Sequence, residues 1–279
     1  MELTHPAWRG QPVPGLARAR IQLTYSWRHG ALPSLDDPVL FNEWVQWRKL
    51  HDRDIRMPLL ADKLRAKDFV AARIGDEWVI PTIWDGTELP AHPNWPSPFV
   101  LKSRHGCNQY AFVFDDQADW SALHSKAKRW MRHAYGFWLD EWLYSQIPLG
   151  LLVEPFIGEG QNLPTDYKFY VFGGRVEFVQ VHLDRGGNHR WIVFDRDWSR
   201  VSSITGDADP PQPLSLPKMI EAAEELGSGF DFVRVDLYDV RDKPLFGEMT
   251  FYPGSGLDPF NPVSLDARLG GHWSRARQA

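Results

Sequence analysis

The chain has 279 residues, 43% of them apolar, which allows one large or two modest folded units and excludes a disordered polypeptide. A net charge of −5 gives no support to nucleic-acid binding or to general polyanion binding. The single cysteine, Cys107, excludes an intrachain disulfide framework.

The N-terminal stretch MELTHPAWRGQPVPG has no apolar core behind a basic start. No run of about 18 apolar residues occurs anywhere, so the expectation is a cytoplasmic protein without a transmembrane segment. Residues 1–35 are rich in Pro and Gly and read as a peripheral segment. DPVLFNEWVQWRKLHDR, residues 37–53, places Leu40, Trp44, Val45 and Leu50 close to helical spacing. In LADKLRAKDFVAARIG, Leu64, Phe69, Val70 and Ile74 fall near one helical face, and Gly75 stands where a C-cap glycine would. EWVIPTIW is extended, with Pro81 arguing for an edge strand. SPFVLKSRHGCNQYAFVF reads as strand, loop, strand.

The region from Asp116 to Ile147 is the longest helical stretch, divided near Gly136. Its Lys126, Lys128, Arg129 and Arg132 read as a solvated face, with peripheral contact at a membrane surface as the alternative. Residues 150–186 are strand-rich, and Gly173–Gly174 suits a tight hairpin. LPKMIEAAEELG is a helix with Pro217 near its start. A hairpin follows over 232–251, and the tail reads as loop plus a short helix. The 14 tryptophans fit core packing, with a sugar-lining role as the alternative. Strands in hairpins with helices between them give an α+β class with largely antiparallel sheets.

The hairpin raises a chemical question. Side chains alternate faces along a strand. Val233, Val235 and Leu237 face one way, Arg234 and Asp236 the other; Leu245, Met249 and Phe251 face one way, Glu248 and Thr250 the other. With the turn near Asp242, Asp236 lies opposite Glu248, and facing carboxylates repel. A divalent cation between them turns repulsion into binding, because magnesium takes hard oxygen ligands from one or two carboxylates plus substrate phosphates. The alternative is a wet outer face. Lys102 closes an apolar strand and is placed to meet phosphate or water. Lys168 sits among aromatics in phase with Asp166 and Tyr170, and a lysine there finds an anion or snorkels out. No zinc-ligand spacing, nucleophile elbow or dinucleotide-binding glycine motif is present.

The order ADKLRAKDFV…IG, PFVLK, LLVEPFIG, DYKFYVFGG, RVDLY, GEMTFYPG resembles the ATP-grasp superfamily. It is most similar to the TupA-like branch, linked to cell-surface polysaccharide biosynthesis, over roughly residues 40–265. The resemblance implies an ATP-grasp fold with two α+β lobes sandwiching ATP. Its expected division is a peripheral helical segment over 1–60, an N-terminal lobe over 61–150 and a C-terminal lobe with the metal site over 151–279.

By matching position, Lys102 would contact the α and β phosphates. Glu154, Pro155, Phe156 and Ile157 would meet adenine, Asp166 the ribose or adenine edge, and Lys168 phosphate. Arg234 would act with Lys168 in stabilising the transferred phosphoryl group. Asp236, Glu248 and Thr250 would hold Mg2+. Arg104, His105, Asp258 and Asn261 flank the site in sequence and are candidates for acceptor contacts. The implied reaction joins a small-molecule or glycan carboxylate, a uronic or amino acid, to an amine through an acylphosphate, forming ADP. The alternatives are an ATP-grasp kinase acting on a hydroxyl, and a non-catalytic glycan- or nucleotide-binding protein. Three features depart from the family pattern: the glycine-poor loop KSRHGCNQYAF, Thr250 where Asn is common, and a short region before Leu60.

Overall fold

In the computed structural model, residues 14–184, 187, 189–204, 206 and 208–279 are described. The Pro- and Gly-rich stretch 1–13 lies outside them. The chain begins with four helices: α1 (Pro14–His29), α2 (Phe41–His51), α3 (Arg56–Ala61) and α4 (Arg65–Ile74). Then come β1 (Trp84–Gly86), β2 (Phe99–Ser103), β3 (Tyr110–Val113), α5 (Trp120–Trp130) and β4 (Leu151–Pro155). The second half has β5 (Asp166–Phe172), β6 (Arg175–Leu183), β7 (Arg190–Asp195), α6 (Leu216–Gly227), β8 (Phe232–Val240), β9 (Lys243–Thr250) and α7 (Ser264–Gln278).

Two antiparallel sheets result, β1-β4-β2-β3 and β7-β6-β5-β8-β9, which is the α+β arrangement expected. β4 pairs with both β1 and β2, so the first sheet extends to Pro155 and a division after residue 150 would cut it. Helix α1 packs on α2, and helices α2, α3 and α4 pack with the other sheet. Phe41, Trp44, Val45, Met57, Leu60, Ala66 and Val70 belong to its core, so 41–60 is no peripheral segment. A smaller core beneath the first sheet gathers Trp95, Phe99, Leu101, Leu123, Trp130 and Val153.

The five-stranded sheet is buried on both faces, which is why DYKFYVF has no exposed position. One face carries Phe169, Val171, Val233 and Val235 against α6. Gly227 ends that helix where a Cβ would come 2.6 Å from Val171, so only glycine allows this approach. The other face is divided. Tyr170, Phe172 and Phe232 lie under Phe41 of α2, and Phe232 also under Trp273 of α7. The remainder of that face is charged.

Three local readings differ from observation. β9 carries an extra residue at Gly247, because Asp236 pairs with Glu248 but Leu237 pairs with Phe246. The bulge reverses the phase beyond it, so Phe246, not Leu245, is the buried side chain. The long helical region stops at Trp130 and continues only as short 3-10 turns. The tail helix is 15 residues long, not short. Its Gly270 looks like a breaker but marks a close approach, since a Cβ there would lie 2.0 Å from the Val39 carbonyl.

Candidate functional site

The charged part of the sheet face forms two cross-strand rows. Lys168 stands beside Asp236, which stands beside Glu248; Tyr170 stands beside Arg234, which stands beside Thr250. Asp236 is the hub. Its Oδ2 accepts from Lys168 Nζ at 2.5 Å and from Arg234 Nη2 at 2.7 Å, and its Oδ1 from Arg234 Nε at 2.7 Å. Lys168 also reaches Asp166 at 2.8 Å. Arg234 Nη2 donates to Thr250 Oγ1 at 3.2 Å and lies 3.7 Å from Glu248. Burial opposes ionisation of Asp236, but Arg234 and Lys168 outweigh it and hold the carboxyl below its ordinary range. Burial likewise pulls Lys168 down, and Asp166 and Asp236 reverse that, so its pKa is raised.

A second cluster comes from the first sheet. Glu154 on β4 is buried and binds Lys102 of β2 and Lys67 of α4, each at 2.5 Å. Burial works against the Glu154 carboxylate, but the two ammonium groups win and its pKa is lowered. Burial lowers Lys67, despite Glu154. Lys102 meets the same burial cost, yet Glu154, Tyr238 and Glu248 raise it to about 12. That dependence on Tyr238 and Glu248 places Lys102 in the field of the other sheet. A parallel bridge between Val79 and Phe246 joins the two halves nearby. At the end of β4, Phe156 donates its N–H to the Pro98 carbonyl at 3.2 Å and packs edge-on against Phe112 and Phe114. Pro155 and Ile157 flank it, both half-buried.

The acceptor candidates divide. Asp258 lies in the field of Arg28, Arg234 and His29, beside the charged face, where burial raises its pKa. Arg104 is instead committed to buried Asp62, at 2.7 and 2.6 Å. His105 is fully buried with Nε2 on the Trp130 carbonyl and Nδ1 accepting from Gly150 N–H, so both ring nitrogens serve the fold and neither meets a ligand. Asn261 accepts from Ser203 at 2.8 Å in an exposed loop.

Two groups of residues here escape sequence reasoning. One is Lys67, whose helical position reveals nothing of its reach to Glu154. The other holds the loop after Thr250. Gln46 donates to the carbonyls of Ser255 and Gly256, at 2.8 and 3.0 Å. Lys49 donates to the Ser255 carbonyl and hydroxyl, at 2.8 and 2.7 Å. Arg28 donates to the Leu257 carbonyl at 2.9 Å, and Asn42 to that of Asp258 at 3.0 Å. Gly254, Ser255 and Gly256 all have positive φ, a run that a non-glycine residue such as Ser255 adopts only when held. Burial lowers Lys49 to about 8 and raises neighbouring Glu141 to about 7.

Among the described residues, no group of three or more His, Cys, Asp or Glu is arranged to hold a metal ion. The donor set at the charged face is two carboxylates and a hydroxyl. A carboxylate offers about four acceptor positions, and the protein occupies three on Asp236. Glu248 is 37% exposed and accepts from Thr250 at 3.3 Å. Acceptor positions therefore stay open on both acids, and the set fits a hard cation that takes its remaining ligands from phosphate and water.

A family model described as TupA-like ATPgrasp matches residues 43–273. The chain belongs to the TupA-like ATP-grasp family. No curated protein matches its sequence. Among solved structures, a D-alanine–D-alanine ligase from Bacillus anthracis complexed with ATP is 14% identical, covering 79% of this chain and 64% of its own, with a TM-score of 0.47. VanG D-Ala:D-Ser ligase from Enterococcus faecalis is 14% identical, covering 79% and 61%, with a TM-score of 0.48. An L-amino acid ligase from Bacillus licheniformis is 14% identical, covering 73% and 43%, with a TM-score of 0.44. The chain spans less than two thirds of the length of these ligases. Among the described residues, no helix of this ATP-grasp chain is long and apolar enough to cross a membrane.

Proposed function

We propose that this ATP-grasp chain is an ADP-forming carboxylate–amine ligase with ATP as substrate and Mg2+ as cofactor. The observation that carries the reading is the charged sheet face, where Lys168, Arg234, Asp236, Glu248 and Thr250 meet within two cross-strand rows. Lys102, with Lys67 and Glu154, supplies a second cationic cluster for the phosphates. Phosphoryl transfer needs little covalent help from protein, but it needs anions positioned and their repulsion screened.

Lys102 and Lys168 hold the triphosphate, and Glu154 through Ile157 hold adenine, with Asp166 at the ribose or adenine edge. The substrate carboxylate oxygen attacks the γ-phosphorus, the bond to the β,γ-bridging oxygen breaks, and ADP leaves. Arg234 and Lys168 face the charge that builds on the transferred group. The amine then attacks the acyl carbon, the carbon–oxygen bond to phosphate breaks, and the amine proton passes to solvent. Asp236, Glu248 and Thr250 would hold Mg2+, which when bound neutralises phosphate charge. Asp258, in the field of Arg234, is the residue we assign to the acceptor.

The substrate class is a uronic or amino acid carboxylate joined to an amino acid or amino sugar, in cell-surface polysaccharide biosynthesis on the cytoplasmic side, where ATP is available. A screen of carboxylate and amine pairs for ADP release tests this. The expected result is ADP and free phosphate that require both substrates, with an amide by mass spectrometry. ADP release with phosphate retained on a hydroxyl product would replace ligase by kinase, and no MgATP binding would remove the nucleotide site altogether.

A further inference from the structure

Helix α1 buries one face and leaves the other bare. Ala17, Ile21 and Tyr25 are buried, while Leu16, Leu23 and Trp27 are 66%, 72% and 84% exposed. At 3.6 residues per turn these three fall together on the side opposite the buried one. Arg20 lies on the same side. It makes a two-point ion pair with Asp140, and its guanidinium lies 5.6 Å from the Phe137 ring. The apolar stripe therefore runs on into the turn after α5, where Phe137 and Trp138 are exposed, Trp138 to 76%.

Charge is segregated in the same two segments. Residues 14–29 and 120–138 hold seven Arg and Lys and no Asp or Glu, in a chain whose net charge is −5. Acids reach them from outside: Asp36 pairs with Arg18, Asp140 pairs with Arg20, Asp258 lies in the field of Arg28, and Asp119 caps α5. Lys128, Arg129, Arg132 and His133 stand exposed just before the aromatic pair. Bulky apolar side chains projecting from a predominantly basic surface match the interfacial layer of a membrane with anionic headgroups. Tryptophan and leucine enter the acyl boundary while Arg and Lys meet lipid phosphate.

We propose that this face, α1 together with the turn after α5, is a docking surface for an anionic lipid bilayer. It would hold the protein peripherally, and it stands apart from the nucleotide-site reading. Nucleic acid fits less well, because bases stack between flat rings and make no use of projecting leucines.

The full chain is pelleted with phosphatidylcholine vesicles with or without phosphatidylglycerol. The expected result is co-sedimentation with the anionic vesicles alone, reversed by salt. Trp27→Ser with Trp138→Ser, and separately Arg129→Glu with Arg132→Glu, should each weaken partitioning about tenfold or more. Circular dichroism and the MgATP thermal shift of these variants, unchanged from the parent, separate docking from folding and from the nucleotide site. No sedimentation with either vesicle, equal sedimentation with both, or undiminished binding by the variants overturns the proposal. A solution dimer dissociated by the tryptophan variants assigns the face to a second copy, and tighter binding of a single-stranded RNA oligonucleotide assigns it to nucleic acid. Either result overturns the proposal.

Discussion

Asp236 and Glu248 face one another, yet their surroundings make them unequal. Asp236 is buried and neutralises Arg234 and Lys168, whereas Glu248 is 37% exposed and only 3.7 Å from Arg234 at its nearest. Removing one partner of a buried ionic network leaves charge uncompensated. Asp236→Asn is expected to lower stability by about 3–5 kcal/mol in urea unfolding, while Glu248→Gln shifts it by about 0.5 kcal/mol or less. Both should lose about a hundredfold or more in ADP-forming turnover, since each removes charge that screens the phosphates. Equal stability losses would contradict the hub role of Asp236. The facing of these acids was only partly legible in the sequence: the turn pairs Val240 with Lys243, a register that would set Asp236 opposite Gly247, and the extra residue at Gly247 is what brings Glu248 into place. The double engagement of Asp236 was not legible, since nothing in the spacing says that Lys168 and Arg234 converge on one carboxylate. His105 was misread for a similar reason. Its two hydrogen bonds run to Trp130 and Gly150, which only the folded chain brings near.

The loop after β9 depends on α2. Lys49→Met would strip the Ser255 carbonyl and hydroxyl of charged donors and leave Glu141 without its cation. Faster amide exchange confined to residues 252–258 is the expected outcome in hydrogen-exchange mass spectrometry, with Lys49→Arg restoring part of the protection. Unchanged exchange would show that Gln46 alone suffices. At the other contact of this region, Gly270→Ala drives a methyl onto the Val39 carbonyl, 2.0 Å away. A loss of about 1–3 kcal/mol is expected by urea unfolding. Most helices and strands announced themselves through periodicity and punctuation, as with Gly75, which caps α4 at φ 109°. α7 did not, because a Gly-Gly pair reads as a break until its neighbour is known. The Gly247 bulge was equally hidden, since one extra residue leaves no mark on composition.

For the whole molecule, acid should be the weak side. Asp236 and Glu154 both have folded pKa values below their ordinary ones, held there by Arg and Lys against burial. The unfolded chain therefore takes up protons first as pH falls through about 4. The stability these groups contribute is complete above that range and is lost as pH drops toward their folded values. Urea midpoints measured from neutral pH downward should fall, and Asp236→Asn should flatten the slope. A hundredfold excess of MgATP over its Kd is expected to raise the melting temperature by about 5 °C or more, and Lys102→Met should reduce that gain. The α+β class was legible from the order of the elements. The partition between the two sheets was less so: Glu154 belongs with the first sheet through pairing of β4 to β1 and β2, a contact that local sequence does not encode.

The four carbonyls of Ser255 through Asp258 are each held by a side chain of α1 or α2. In a trans peptide the following N–H points the opposite way, so Asp258 aims its N–H away from the Arg28 side chain that holds the Leu257 carbonyl, while the Gly256 N–H belongs to the 3-10 turn Pro253–Gly256. Whatever meets the Asp258 amide meets main chain, whose direction a side-chain replacement at that position leaves in place unless it is proline. The course of this loop is set from behind, by Arg28, Asn42, Gln46 and Lys49, so its conformation is written in the first fifty residues as much as in the loop itself.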